Sequence, residues 1–456
     1  MVTSYATHLI LARQLGPADY GRYGIFLSVA STVALLLTAG VPEAISKFSA
    51  ENPEAATGIF AQGLRLQLRF SVVIGLAYAL LSPLFAWVLS DVSLAPEFAL
   101  SALSIPPVAI YALAINSYSG RRRFGAQGLA VSAYGILRCA FAVLFAHYHA
   151  VRGAVLGLVV APYVVVAGLL PGLRSKNPQG SIDSRTVIAF ARPVILFTVA
   201  YGTLMNLDLL VVKALGTNDV QVGFYTAAST ISKVPFFAFS ALAVVLLPTV
   251  SAAARGNDAE LGEARAAIRW TFLVSMAIAF AVAPLATTVL RVLYGDRYAD
   301  SGLALALLVM SGTLLTQVYI LTYALNGLGQ PQLGMRLTIA GLVLEPPLVI
   351  GGSHVWGLAG AAAGSCATAL VLLVVLLWAA SPFLGKVVRV SGLVRATLAG
   401  AVTTAVGSLL PRHGVLTLGF FVPLVALDVL LLLALRETSL AELAAPLRAR
   451  KAVSAL

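Results

Sequence analysis

Arg138, Lys233 and Glu345 sit well inside long apolar runs, and Asp208 lies toward the end of another. If such runs cross a membrane, each charge costs at least ~2.5–3.5 kcal/mol at mid-depth, so each needs a partner or a task. Arg138 carries a planar guanidinium able to hold an anion through two parallel hydrogen bonds. Glu345 supplies a protonatable or counter-charge carboxyl. Lys233 supplies a point charge for an anion, and Asp208 is spaced to pair with Lys213 or Lys233. A buried ion pair or a snorkelling Arg accounts for the same residues without a ligand. His147 and His149 read as solvated interface residues rather than a metal site. Cys139 and Cys366 both lie in apolar sequence, which excludes a disulfide scaffold and a cysteine-based metal cluster.

The elements that carry these residues follow from composition. Of 456 residues, 59% are hydrophobic and 11% charged, against about 25% charged in an ordinary soluble domain. Mean hydropathy is +0.93. A water-soluble fold has no way to hide that much apolar surface, so the expectation is an all-α polytopic membrane protein. Apolar segments fall at roughly 1–14, 21–44, 68–90, 96–119, 125–148, 153–171, 187–213, 222–250, 268–294, 300–326, 333–353, 356–380, 393–410 and 415–436, about fourteen transmembrane helices. As a helix, Met1–Gln14 rises only about 21 Å, short of the ~30 Å hydrocarbon core. Either the start lies upstream or the first helix is shortened.

Placement of the basic residues sets the orientation. With a cytoplasmic N-terminus and every segment crossing, about 21 of the 30 Lys and Arg fall on the inside and about 7 on the outside, with Arg138 and Lys233 in mid-span. Arg65, Arg69, Arg121, Arg122, Arg123 and Arg192 are among the inside set. The bias recurs loop after loop and predicts cytoplasmic N- and C-termini. It also explains the net charge of +12 without nucleic acid, since no basic stripe with interleaved aromatics occurs.

The chain also repeats itself. Leu15-Gly16-Pro17-Ala18-Asp19 with Gly21-Arg22-Tyr23 has a counterpart in Leu215-Gly216-Thr217-Asn218-Asp219 with Gly223-Phe224-Tyr225. Pro42…Glu54 matches Pro248…Glu260, and Asn116…Gly125 matches Asn326…Gly334. Gly153-Ala154-Val155-Leu156-Gly157 echoes Gly357-Leu358-Ala359-Gly360-Ala361. An offset of about 200–210 residues marks one half of a two-lobe transporter. An even number of crossings per half gives parallel repeats with substrate between the lobes. The expected divisions are a six-helix lobe over 1–171, a cytoplasmic linker over 172–186, a second six-helix lobe over 187–380, two additional helices over 381–436 and a cytoplasmic tail over 437–456.

LGPADYGRYGIFLS, NLDLLVV containing Asp208, ALGTNDVQVGFYTAAS, LLPTVSAAARGNDAEL, VLYGDRYADSG, LNGLGQPQLGMRL and GLAGAAAG occur in that order. As an ordered set over about residues 9–380 they resemble the polysaccharide-unit flippases of the multidrug/oligosaccharidyl-lipid/polysaccharide exporter superfamily. The resemblance implies alternating access by two six-helix lobes. It implies movement of undecaprenyl-diphosphate-linked sugar units from the cytoplasmic to the outer leaflet of the cell membrane. Membrane lipids, and the polymerase and glycosyltransferases of the same pathway, are the implied partners; no cofactor is. Under it, Arg138 binds the diphosphate or an acidic sugar, and Arg65, Arg69 and Arg192 attract the diphosphate at the cytoplasmic mouth, where positive-inside anchoring alone also explains them. Leu344-Glu345-Pro346-Pro347 departs from the neutral Asn-rich stretch expected there. The two prolines are expected to break the helical ladder beside Glu345.

Two other classes fit less well. A lipid II flippase or a drug/cation antiporter of the same superfamily shares the architecture, but an antiporter wants acidic cavity residues and Glu345 is the only deep candidate in the lobes. A glycan polymerase or ligase wants a sizeable outer loop with a nucleophile and a base. The outer loops are short and no GxxxxGK[ST] phosphate loop is present, so an enzyme is not expected.

Overall fold

The computed structural model describes residues 2–173, 180–253, 258–385, 390–410 and 414–435, and among them there are helices and turns but no strands. The helices are α1 (Val2–Thr38), α2 (Val41–Glu51), α3 (Ala56–Val88), α4 (Ala95–Ser101), α5 (Ile105–Gly120), α6 (Phe124–Leu173), α7 (Ser184–Ala214), α8 (Asp219–Ser232), α9 (Val234–Ala253), α10 (Asp258–Val282), α11 (Ala286–Tyr294), α12 (Gly302–Gly327), α13 (Pro331–Leu384), α14 (Val390–Ser408) and α15 (Phe421–Ala434). Nine helical stretches among the described residues are long and apolar enough to cross a membrane. The predicted all-α polytopic membrane architecture is therefore present. Leu80, Trp87, Trp356 and Trp378 are among the most exposed apolar side chains, at 71–80%, as expected of a surface solvated by lipid with interfacial Trp.

The chain forms two compact units, Met1–Ala227 and Ala228–Leu456. In the first, α5 packs on α2, α3 and α6, while α1 packs on α6 and α7. Its core joins Val41, Ala44 and Ile45 of α2 with Ile59 and Phe60 of α3, Leu113 of α5 and Val187 of α7. In the second unit α12 is the hub, packed on α9, α10 and α13. Its sequence is apolar or small on all sides, so it is buried nearly all round. The last helices, α14 and α15, pack on α10 and on each other.

Three of the long helices fold back on themselves. In α1 the turn is Gly16, with φ 75° and ψ 174°. Only a reversal there brings His8 Nδ1 within 3.0 Å of the Tyr20 hydroxyl, since a continuous helix would separate the two residues by about 18 Å. In α6 the turn is His149 (φ −135°, ψ 23°) and Ala150 (φ 47°, ψ −130°). In α13 it is Trp356 (φ −133°, ψ 20°) and Gly357 (φ 57°, ψ −133°). The two turns are the same turn, 207 residues apart. The same offset carries Gly153 to Gly360 and Gly157 to Gly364. A Cβ on Gly153 would strike the Phe145 carbonyl and one on Gly360 the Gly352 carbonyl, so each glycine lets two antiparallel arms touch backbone to backbone.

The equivalence corrects two sequence pairings. Asn326 corresponds to Ser119 rather than Asn116, as the inner turns show. Gly153 corresponds to Gly360, not Gly357, whose true counterpart is Ala150. Alanine holds a left-handed conformation there that Gly holds in the second copy, which hid the register. The ladder is interrupted at Pro346-Pro347 as expected, but without a kink. Backbone dihedrals remain helical through both prolines, and α13 departs from the helix only at Trp356-Gly357. Proline φ suits a helix; what the pair removes is two donors, freeing the carbonyls of Leu342 and Val343.

The inner turns match as well. Arg122 N donates to Ser119 O at 2.9 Å and Arg123 N to Tyr118 O at 2.8 Å, while Gly329 N donates to Asn326 O at 3.1 Å and Gln330 N to Leu325 O at 2.8 Å. Arg122 has φ +56° where Gly329 has φ +78°. The second copy thus carries the residue such a helix terminus prefers, and the first carries an arginine in its place.

Candidate functional site

The 207-residue register places Arg138 and Glu345 at the same position of the two hairpins. Each lies about 20 Å along its helix from the start, near mid-depth of a ~30 Å core. Their surroundings differ. Arg138 is half-buried and lies on one face of α6 with Tyr134, one turn earlier, in electrostatic reach of the buried Tyr23 hydroxyl on α1. Tyr134 packs on Tyr111 of α5 with ring centroids 4.3 Å apart, and Tyr23 stacks on Tyr20. A cation in electrostatic reach of a tyrosine hydroxyl has the chemistry to hold an anion that carries sugars.

Glu345 is 2% exposed. Its Oε1 accepts a 2.8 Å hydrogen bond from the Ser365 hydroxyl on the opposite arm of α13. In the first repeat the counterpart of Ser365 is Leu158, so the acid and its donor are found in the second hairpin and not in the first.

Lys233 is half-buried and forms the turn that separates α8 from α9. The helix is interrupted there, two residues before Pro235, with Phe237 N still donating to Lys233 O at 3.2 Å. Phe236 next to it packs on Tyr319, with centroids 5.2 Å apart, and Tyr319 on Tyr323 at 4.6 Å. Asp208 is 6% exposed and accepts a 2.8 Å hydrogen bond from the Tyr225 hydroxyl. Its expected neighbour Lys213 is held by other acids, as follows.

At the predicted outer end of the first unit, Lys213, itself 5% exposed, sits between Asp219 at 2.5 Å and Asp91 at 3.2 Å. Arg22 approaches the same Asp91 at 3.7 Å and donates to Ser93 at 2.6 Å. Ser93 donates in turn to Asp91 at 2.5 Å. Burial pushes the Asp91 carboxyl up, but the Ser93 hydroxyl and the Lys213 and Arg22 charges outweigh it and hold its pKa below the usual carboxylate range. This network went unrecognised in the sequence. Its signal was Asp19 and Asp219 at matching places in the repeated motif. Those two motif copies meet here: a Cβ on Gly21 would strike the Asp219 carbonyl and the Gly223 nitrogen, and one on Gly223 the Pro17 carbonyl.

On the opposite, basic side, Arg65 and Arg69 of α3 are exposed. They line a cavity of about 330 Å³ with Gly58, Ala61, Gln62 and Leu66 of α3 and with Gly180, Ser181 and Ser184 before and at the start of α7. Gln62 fixes the second wall by donating to the Ser184 hydroxyl at 3.1 Å and accepting from Ile182 N at 3.0 Å. Arg192 is exposed two turns into α7 and does not line this cavity.

Residues 10–302 match the sequence family described as polysaccharide biosynthesis protein, well over half of the chain. The chain belongs to that family. An uncharacterized membrane protein of Methanocaldococcus jannaschii is 24% identical over 82% of this chain and 92% of its own length. Among solved structures, the lipid II flippase MurJ in an inward closed conformation superimposes with a TM-score of 0.75, at 12% identity, covering 95% of each chain. An inward-facing multidrug resistance MATE transporter of the MOP superfamily gives 0.72 at 18% identity, covering 85% of this chain and 94% of its own. The polysaccharide biosynthesis family member thus has the fold of that exporter superfamily.

Proposed function

We propose that this protein moves undecaprenyl-diphosphate-linked oligosaccharide units from the cytoplasmic to the outer leaflet of the cell membrane by alternating access, for surface polysaccharide assembly. The observation that carries this reading is Arg138, a cation at mid-depth of an apolar helix, in electrostatic reach of the buried Tyr23 hydroxyl and one turn from Tyr134 on the same helix. An Arg there is costly without an anion, and a sugar-bearing diphosphate supplies both the anion and the faces for tyrosine to cover. Family membership and the exporter fold support the same substrate class. Lys233, Glu345 and Asp208 complete the set of ionisable residues within the spans that we assign to translocation, and Arg65, Arg69 and Arg192 act at the cytoplasmic end. The polymerase and glycosyltransferases of the pathway are the proposed partners, and both termini are cytoplasmic.

A second reading, transport of lipid II, is favoured by the 95% mutual coverage with MurJ. It shares the diphosphate chemistry and differs in the sugar. A drug/cation antiporter is favoured only by the MATE-like fold and by Glu345. Deleting the gene tests the choice. Accumulation of a lipid-linked oligosaccharide with loss of surface polysaccharide supports the first reading. Accumulation of lipid II, or drug sensitivity with normal polysaccharide, replaces it.

A further inference from the structure

Arg65 and Arg69 are one turn apart on the same face of α3, so their like charges repel. Among the described residues neither guanidinium has an acidic partner. Both line a cavity of about 330 Å³ whose other polar groups are Gln62 and the Ser181 and Ser184 hydroxyls. That is room for about ten waters at ~30 Å³ each, ample for a phosphate or diphosphate. The start of α7 is already capped, since the Asp183 carboxylate accepts from Arg185 N at 3.1 Å.

Depth is fixed by α3 itself. About 20 residues span the hydrocarbon, and counting that many back from Val88 reaches Leu68, between the two arginines. From there outward α3 turns an apolar face outward: Leu68, Phe70, Val72 and Val73 are 36–65% exposed, and Leu76 and Leu80 continue the strip. The cavity thus opens at headgroup level, with an acyl-chain surface directly beyond it.

We propose that this cavity binds the phosphate of a lipid at the basic face of the membrane, with Arg65 and Arg69 on the phosphate oxygens, Gln62 holding the α7 wall in place, and the lipid chain lying along the exposed strip of α3. The inference deepens the transport reading, and rests on it only for taking the substrate's diphosphate as the natural occupant; a bulk anionic phospholipid presents the same chemistry.

Binding to the purified full-length protein in a neutral detergent tests it, with three probes: farnesyl diphosphate, a short-chain phosphatidylglycerol and inorganic phosphate. The expected result is that Arg65→Ala/Arg69→Ala weakens one or both lipid probes at least tenfold, that Arg65→Lys/Arg69→Lys recovers most of the loss, and that Arg123→Ala/Arg336→Ala, removing two exposed charges elsewhere, changes binding less than twofold. Selective loss of farnesyl diphosphate identifies a substrate site, and equal loss of both lipids a general phospholipid site. Inorganic phosphate bound as tightly as either lipid, or an unchanged affinity in the double alanine variant, would overturn the proposal. Gln62→Leu gives a second check: losing the α7 wall should weaken the lipid probes several-fold with both arginines retained, and unchanged binding counts against the cavity. None of these outcomes decides transport, which is scored separately in liposomes.

Discussion

Glu345 accepts a hydrogen bond from Ser365 across the two arms of α13, at 2.8 Å, in the place where the first repeat has Arg138 and Leu158. The acid and its donor thus form one hydrogen-bonded unit at a buried site. Glu345→Gln retains an acceptor for Ser365 and removes only the titration, so the variant should insert and fold normally yet transport less than Glu345→Asp. Transport assays on both variants check this. Equal activity of the two would remove Glu345 from the mechanism.

The crossing of Gly21 and Gly223 tolerates no side chain, since a Cβ on Gly223 would run into the Pro17 carbonyl. Gly223→Val should lower stability by about 1–3 kcal/mol through overpacking, or prevent accumulation. Gly125→Ala, where nothing lies within 4 Å, should be neutral or slightly stabilising. Thermal unfolding in detergent compares them.

Much of this architecture was readable from periodicity and composition because lipid leaves so few solutions: apolar runs of spanning length, small residues at crossings and basic loops. The repeat was readable too, but only to within a few residues. The turn residues that fix its register are Ala150 in one copy and Gly357 in the other, and Arg122 in one and Gly329 in the other, so identity fails where backbone geometry agrees. Arg138, Lys233 and Glu345 stood out because charge in an apolar run is expensive. Tyr23 and Ser365 did not stand out, being unremarkable as residue types and brought in from another helix and the opposite arm. The Asp91–Lys213–Asp219–Arg22 network was hidden for the same reason, being assembled from three loops and helix ends far apart in sequence.

That outer network should make stability acid-sensitive. The Asp91 pKa is held below its ordinary value, so its contribution is present above about pH 4, the unperturbed range, and is lost as pH falls through the lower folded value. Melting temperature should drop over that interval in the natural protein and should drop less in Asp91→Asn, which starts lower at neutral pH. Lys213→Met, leaving two carboxylates without their shared cation, should lower stability at pH 7 by up to about 3 kcal/mol. Parallel acid profiles for natural protein and Asp91→Asn would contradict the assignment.

Arg122 occupies a left-handed backbone position that its repeat counterpart fills with Gly329. Arg122→Gly should therefore stabilise the fold by about 0.5–1 kcal/mol, the relief of strain less the greater freedom of glycine in the unfolded chain. Gly329→Arg should reverse the sign. Denaturation midpoints of the two variants check this. No gain in Arg122→Gly would mean that the arginine makes compensating contacts.

The central claim is that a mid-membrane cation carries a lipid-linked sugar diphosphate. It is tested most directly by reconstituting the protein in liposomes and measuring translocation of a fluorescent polyprenyl-diphosphate oligosaccharide between leaflets. The natural protein should accelerate exchange well above empty liposomes, Arg138→Ala should fall to that background at equal reconstitution, and Arg138→Lys should retain part of the rate. Translocation by Arg138→Ala at the natural rate would contradict the account.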